Sequence, residues 1–166
     1  DDFNKSKKFE KNWYDNSTEE ETGKIEYKKN GGIHNSGCVK ISNPERGAIR
    51  IMHNLKSLEP GKLYRMSAMV KCMGVKEGRG AVIYLKPDGW EQGWNASKFA
   101  YDDMEWSEIY MDFVPNQKGE ATICCALGFP WGTYNGGKAL GEVYYDNVRV
   151  EPIGDKLYHR ESKHFI

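Results

Sequence analysis

Short stretches of alternating polar and apolar residues, each closed by a turn signal, constrain this chain more than any other feature. Lys24-Ile25-Glu26-Tyr27-Lys28 alternates, as does Cys38-Val39-Lys40-Ile41-Ser42. The same period of two runs through Ala48 to His53, Leu63 to Met73, Ala81 to Lys86, Ser107 to Val114, Ala121 to Leu127 and Glu142 to Glu151. These segments are rich in Val, Ile, Tyr, Thr and Met, which suit a pleated, half-buried surface. Between them stand Asn30-Gly31-Gly32, Asn43-Pro44, Glu59-Pro60-Gly61, Pro87-Asp88-Gly89, Pro115-Asn116 and Asn135-Gly136-Gly137, the residue types that turns require. Eight short strands without a helical stripe predict an all-β protein, an antiparallel β-sandwich. At 166 residues it is long enough for one such domain. That domain is expected over residues 1–152, with a charged linker or tail over 153–166, where the alternation is lost.

Alternation also assigns faces. Tyr64, Met66, Ala68 and Val70 point to the core, and Arg65, Ser67, Met69 and Lys71 away from it. By the same rule Ile49, Ile51, Ile83, Leu85, Ile109, Met111, Phe113, Ile123, Cys125 and Leu127 point inward. Arg50, Met52, Val82, Tyr84 and Lys86 point outward. An outward face that mixes Arg, Met, Tyr and small residues is suited to a shallow ligand floor. Tyr144 and Trp106 are expected in the core and at its cap.

Charge and cysteine content narrow the function. With 24 basic and 24 acidic residues the net charge is zero, which argues against nucleic acid or an anionic membrane as partner. No apolar run is long enough to span a bilayer. Cys38, Cys72, Cys124 and Cys125 have neither metal-site spacing nor a dense disulfide pattern. Most are expected as free thiols packed like small apolar residues, although three pairings remain open on sequence alone. The chain starts at Asp1 without Met or an apolar leader, so it is read as a processed or excised piece.

The surplus is aromatic: five Trp, ten Tyr and six Phe in a polar chain. Several fall in loops, where aromatic faces and polar side chains together could hold a sugar's C–H patches and hydroxyls. The candidates are Trp13, then Trp90, Gln92 and Trp94 in one loop, and Trp131 and Tyr134 in a glycine-rich loop. Arg50 and Tyr84 lie on the outward face between them.

Phe9-Glu10, Trp13, Asn35-Ser36-Gly37 before a strand, Leu58-Glu59-Pro60-Gly61-Lys62-Leu63-Tyr64 and the closing Val143-Tyr144-Tyr145-Asp146-Asn147-Val148 occur in a telling order. Together they resemble the carbohydrate-binding modules of families 4, 9, 16 and 22, over about residues 3 to 152. The resemblance implies a jelly-roll, galactose-binding-like sandwich that binds polysaccharide without cutting it. It implies a concave sheet face flanked by aromatics, matched here by Trp13 and Trp131. It also implies a structural calcium, with Glu10 and Asp146 at the matching positions. The expected ligand is a neutral plant-type polysaccharide: β-glucan, mannan or xylan. The expected setting is a secreted or cell-surface monomer linked to a glycoside hydrolase.

Two other readings stand beside it. A small glycan-cleaving enzyme would need two carboxylates about 5–9.5 Å apart across a cleft. Glu91, Asp102, Asp103, Glu105, Glu108 and Asp112 supply acids, but no recurring pair on one inner face. His34, His53, His159 and His164 show no catalytic or metal spacing. An adhesion or protein-binding sandwich is the third reading, since fold alone does not fix function.

Overall fold

The structure is a computed structural model, and it describes residues 12–15, 17, 21–86, 95–129 and 136–155. These residues form two antiparallel sheets packed face to face. The strands are β1 (Tyr14–Asp15), β2 (Lys24–Lys28), β3 (Cys38–Gly47), β4 (Ile49–Leu55) and β5 (Lys62–Lys76). β6 (Ala81–Lys86), β7 (Asp102–Phe113), β8 (Ala121–Leu127) and β9 (Ala139–Asp155) follow. One sheet has the order β1-β4-β8-β6 and the other β2-β3-β9-β5-β7. Only a 3-10 turn at Ile33–Asn35 interrupts the strand pattern between β2 and β3. Among the described residues no helix is long and apolar enough to cross a membrane.

The alternation rule holds through most of the core. Ile49, Ile51, Met66, Ala68, Val70, Ile83, Ile109, Met111, Phe113, Ile123, Cys125 and Leu127 all belong to the cluster between the sheets. In-register pairing explains why. Ile51 faces Cys125 across β4 and β8, and Cys125 faces Ile83 across β8 and β6, so one parity of all three strands turns inward. The four cysteines are free and buried. Cys125 faces the core, whereas Cys124 belongs to a separate cluster on the sheet's other side. Burial pushes the Cys38 and Cys72 thiols up to about 11 and Cys124 to about 12, so they remain protonated and unreactive near neutral pH.

Three local expectations need correcting. Asn43-Pro44 does not end its strand: β3 continues to Gly47, and the register against β9 shifts between Asn43 and Gly47. This bulge accommodates the proline, which cannot donate a ladder hydrogen bond. Tyr144 is not a core residue. Val143 and Tyr145 are fully buried, while Tyr144 has the opposite parity and lies 5.6 Å beneath the Lys40 ammonium. Strand β1 has too few residues to show a period. The domain also extends beyond residue 152, because Gly154 and Asp155 of β9 pair with Leu63 and Lys62. The remainder of the expected tail lies outside the described residues.

Two polar side chains cross between the sheets. Asn43 donates from Nδ2 to the carbonyls of Leu127 on β8 and Ala139 on β9, both at 3.1 Å. Tyr145, on the five-stranded sheet, places its hydroxyl against β6 and β8 of the other. It accepts from the Val82 amide at 3.0 Å and lies 3.1 Å from the Val82 carbonyl and 2.5 Å from that of Ala126. These bonds fix the four-stranded sheet relative to its partner, and so position that sheet's outward face.

Candidate functional site

The outward face of the four-stranded sheet is built in rows. Arg50, Ala126 and Val82 form one row, Met52, Cys124 and Tyr84 the next, and Asn54, Thr122 and Lys86 the third. Tyr14 on β1 is aligned with Met52 at the edge. Burial changes sharply along this face. Met52, Val82, Tyr84, Cys124 and Ala126 are fully buried, and Phe129 closes over Tyr84 edge-on with ring centroids 4.9 Å apart. The third row is open. Asn54 and Lys86 are exposed, Thr122 is partly exposed, and Tyr14 leaves 41% of its surface in solvent. Only one of the three rows of the expected floor is therefore open.

The open row is already ordered by hydrogen bonds. Asn54 Oδ1 accepts from the Thr122 hydroxyl at 2.9 Å and from the Tyr14 hydroxyl at 3.2 Å. With its oxygen accepting twice, the groups left to the exposed Asn54 for a ligand are its amide N–H donors. The row thus offers an amide donor, two hydroxyls, an ammonium and an aromatic ring. That is a surface able to hydrogen-bond a polyol and pack on its C–H patches.

The candidate residues fare differently. Trp13 is 3% exposed and belongs to the core cluster, its ring edge-on to His53 with centroids 5.2 Å apart. It closes the end of the sandwich, where Trp13, His53, Leu55, Ile123, Val148 and Val150 line a cavity of about 150 Å³. This position does not present a free ring for sugar stacking. Burial also pushes the His53 imidazole below its ordinary pKa. Tyr84 has no solvent exposure, and burial drives its phenol well above the usual value, partly opposed by the nearby Arg50 charge. Its ring therefore supports the face from beneath. Arg50 is on the same face but only 6% exposed. Glu10, Trp90, Gln92, Trp94, Trp131 and Tyr134 lie outside the described residues.

The expected calcium ligand Asp146 is 2% exposed. Its Oδ2 accepts from the Ile33 amide at 2.9 Å and the Ser36 hydroxyl at 2.6 Å, and its Oδ1 from the Asn147 amide at 2.6 Å. Donors thus converge on the carboxylate, whereas calcium gathers oxygens. Among the described residues no group of three or more His, Cys, Asp or Glu surrounds it. The described donor set does not fit a calcium ion. It pins the turn before β3 to the bulged strand β9.

Sequence reasoning missed Asn54 and Thr122. Alternation could have placed Asn54 and Thr122 outward with Met52 and Cys124, but pairing across the sheet was needed to join them. The acids on β7 stand on the other sheet. Asp112 holds Arg65 with two bonds of 2.8 and 3.0 Å, Asp103 accepts from the Gly74 amide, and Glu105 lies 3.7 Å from Lys71.

No protein-family model matches the chain, and no curated protein matches it. Solved structures do. TmCBM61, solved with β-1,4-galactotriose, superposes with a TM-score of 0.57 at 14% identity, covering 87% of this chain and 94% of that one. The CBM22-2 xylan-binding domain of Paenibacillus barcinonensis Xyn10C gives 0.54 at 13% identity, covering 86% and 92%. This protein has the fold of a carbohydrate-binding module. The family 11 carbohydrate-binding module of Clostridium thermocellum Lic26A-Cel5E gives 0.53 at 15% identity, over 86% and 88%. Other matches are parts of longer chains. The protein covers 19% of the chain of the enzymatically active domain of bacteriophage CBA120 tailspike protein 4, and 26% of a Clostridium thermocellum Xyn10B chain joining CBM22-1 and GH10 modules. At these identities the carbohydrate-binding-module likeness is one of fold.

Proposed function

We propose that this protein binds a polysaccharide without cleaving it, on the outward face of the four-stranded sheet. The open Tyr14–Asn54–Thr122–Lys86 row carries the reading, because it presents sugar-compatible groups on a fold shared with carbohydrate-binding modules. The backbone it takes is of the neutral plant type: β-glucan, mannan or xylan. Trp90, Trp94, Trp131 and Tyr134 add stacking from the loops. Linked to a glycoside hydrolase in a secreted or cell-surface protein, the monomeric module would hold substrate near the catalytic domain and raise its effective concentration.

Affinity electrophoresis against xylan, mannan, mixed-linkage β-glucan and galactan tests the reading. Retardation by at least one polymer, with no reducing sugar released, is the expected result. Trp131→Ala should abolish that retardation with the fold intact, since losing one stacked aromatic removes on the order of 1–3 kcal/mol. Release of oligosaccharide would replace the binding reading with an enzymatic one. Full retardation of the Trp131→Ala protein would remove that residue from the site.

The calcium implied by the sequence resemblance would need Glu10 together with a rearranged Asp146. With Asp146 held by its three protein donors, EDTA is expected to leave the melting temperature unchanged. A melting temperature that fell on chelation and recovered with added calcium would establish the ion.

A further inference from the structure

The two sheets differ in how they handle charge. On the outward face of the five-stranded sheet, cations stand against carboxylates. Lys40 reaches Glu142 at 2.8 Å, Arg65 reaches Asp112 at 2.8 Å, Lys28 reaches Glu26 at 3.3 Å, and Lys71 stands 3.7 Å from Glu105. The four-stranded sheet lacks this pattern. Its outward strand positions carry Arg50 and Lys86, and no Asp or Glu among the described residues. Asp15, the carboxylate on β1, is aligned with inward-facing Ile51 and accepts from the Ser17 amide. Glu120 lies in the turn before β8.

Lys86 is exposed and has no ion-pair partner among the described residues. It ends the row that contains Thr122 and Asn54, roughly 10 Å across three strands. Arg50 and Lys86 both act on the Cys124 thiol, favouring its ionised form against the larger effect of burial. Lys86 places a positive charge at the open end of this face, although the whole chain is neutral.

We propose that the open row selects a polysaccharide bearing carboxylate groups, a uronic-acid-containing chain, with Lys86 meeting the carboxylate and Asn54, Thr122 and Tyr14 its neighbouring hydroxyls. The inference rests on the polysaccharide-binding reading and narrows it: acidic substituents decorate the backbone that the face accepts. An ammonium beside neutral donors provides a charge-assisted bond to a carboxylate. No described carboxylate on the face repels such a ligand or competes for the lysine.

Isothermal titration with glucuronoxylan and arabinoglucuronoxylan, each compared with its carboxyl-reduced form, provides the test. At least one acidic polymer should bind about tenfold more tightly than its reduced counterpart, the scale of one charge-assisted contact at a partly solvated site. That advantage should shrink with added salt. Lys86→Gln should remove it, so that this variant binds the acidic polymer and its reduced form with equal affinity. Because Lys86 is exposed, an unchanged circular dichroism spectrum is expected for this variant. Equal affinity for acidic and reduced forms, or an acid preference that survives Lys86→Gln, would overturn the inference and leave polysaccharide binding standing. Binding of neutral polymers alone would do the same. Failure to bind any acidic, reduced or neutral polymer would overturn both readings.

Discussion

Asp146→Ala is expected to lower stability by about 5 kcal/mol, since three hydrogen bonds to a buried carboxylate are lost and each is worth roughly 1.5–3 kcal/mol. The variant leaves the Ile33 amide, the Ser36 hydroxyl and the Asn147 amide without their acceptor. These donors come from two distant parts of the chain, so the loss would loosen the turn before β3 from β9. The surroundings offer little room to compensate. A Cβ on Gly32 would stand 2.5 Å from Asp146 Oδ2 and 2.6 Å from Ser36 Oγ, so the backbone already lies close against the bonded pair. Asn147 adopts a left-handed φ of 52° at the adjoining bulge, a conformation Asn tolerates better than most residues. Urea denaturation would measure the change, and thermal melting should show a fall of roughly 10 °C. A loss below about 1 kcal/mol would mean that water replaces the carboxylate at little cost.

Tyr145→Phe is the second large effect, expected at about 3 kcal/mol with the ring's packing retained. The variant removes only an oxygen, but that oxygen serves backbone groups of β6 and β8 from the opposite sheet. Its loss leaves a buried amide and carbonyl unsatisfied, at about 1–3 kcal/mol each. Amide hydrogen exchange supplies a local readout: Val82 should exchange faster, with smaller changes in the five-stranded sheet. Unaltered stability together with unaltered Val82 exchange would show that β6 and β8 close on each other without the hydroxyl. Because those strands carry Lys86 and Thr122, some loss of polysaccharide affinity should accompany the destabilisation.

Much of the architecture was legible because burial on one side of a strand forces a period of two. β2, β6 and β8 have the bounds that alternation assigns them. The opposite placement of Cys124 and Cys125 follows from the same rule. Legibility failed where a bulge broke the period, as at Asn43-Pro44, and where adjacent residues were equally apolar. Tyr144 and Tyr145 are chemically identical, so only the register against Val39 and Val70 decides which is buried.

The site was less legible. Aromatic residues look alike in sequence whether they cap a core or face a ligand, and Trp13 and Tyr84 proved to be buried. Arg50 and Tyr84 were correctly placed outward, but direction does not determine exposure. Phe129, far away in the chain, closes over Tyr84.

The sequence by itself therefore determined the all-β class, the positions of most strands and which parity of each faces the core. All three follow from interactions between near neighbours and from the cost of burying polar groups. Only the tertiary structure decided which rows of the outward face remain open, that Asn54, Thr122 and Lys86 stand side by side, and that Asp146 is surrounded by donors. Those properties depend on register between strands and on packing by distant segments, so they exist only once the two sheets have assembled.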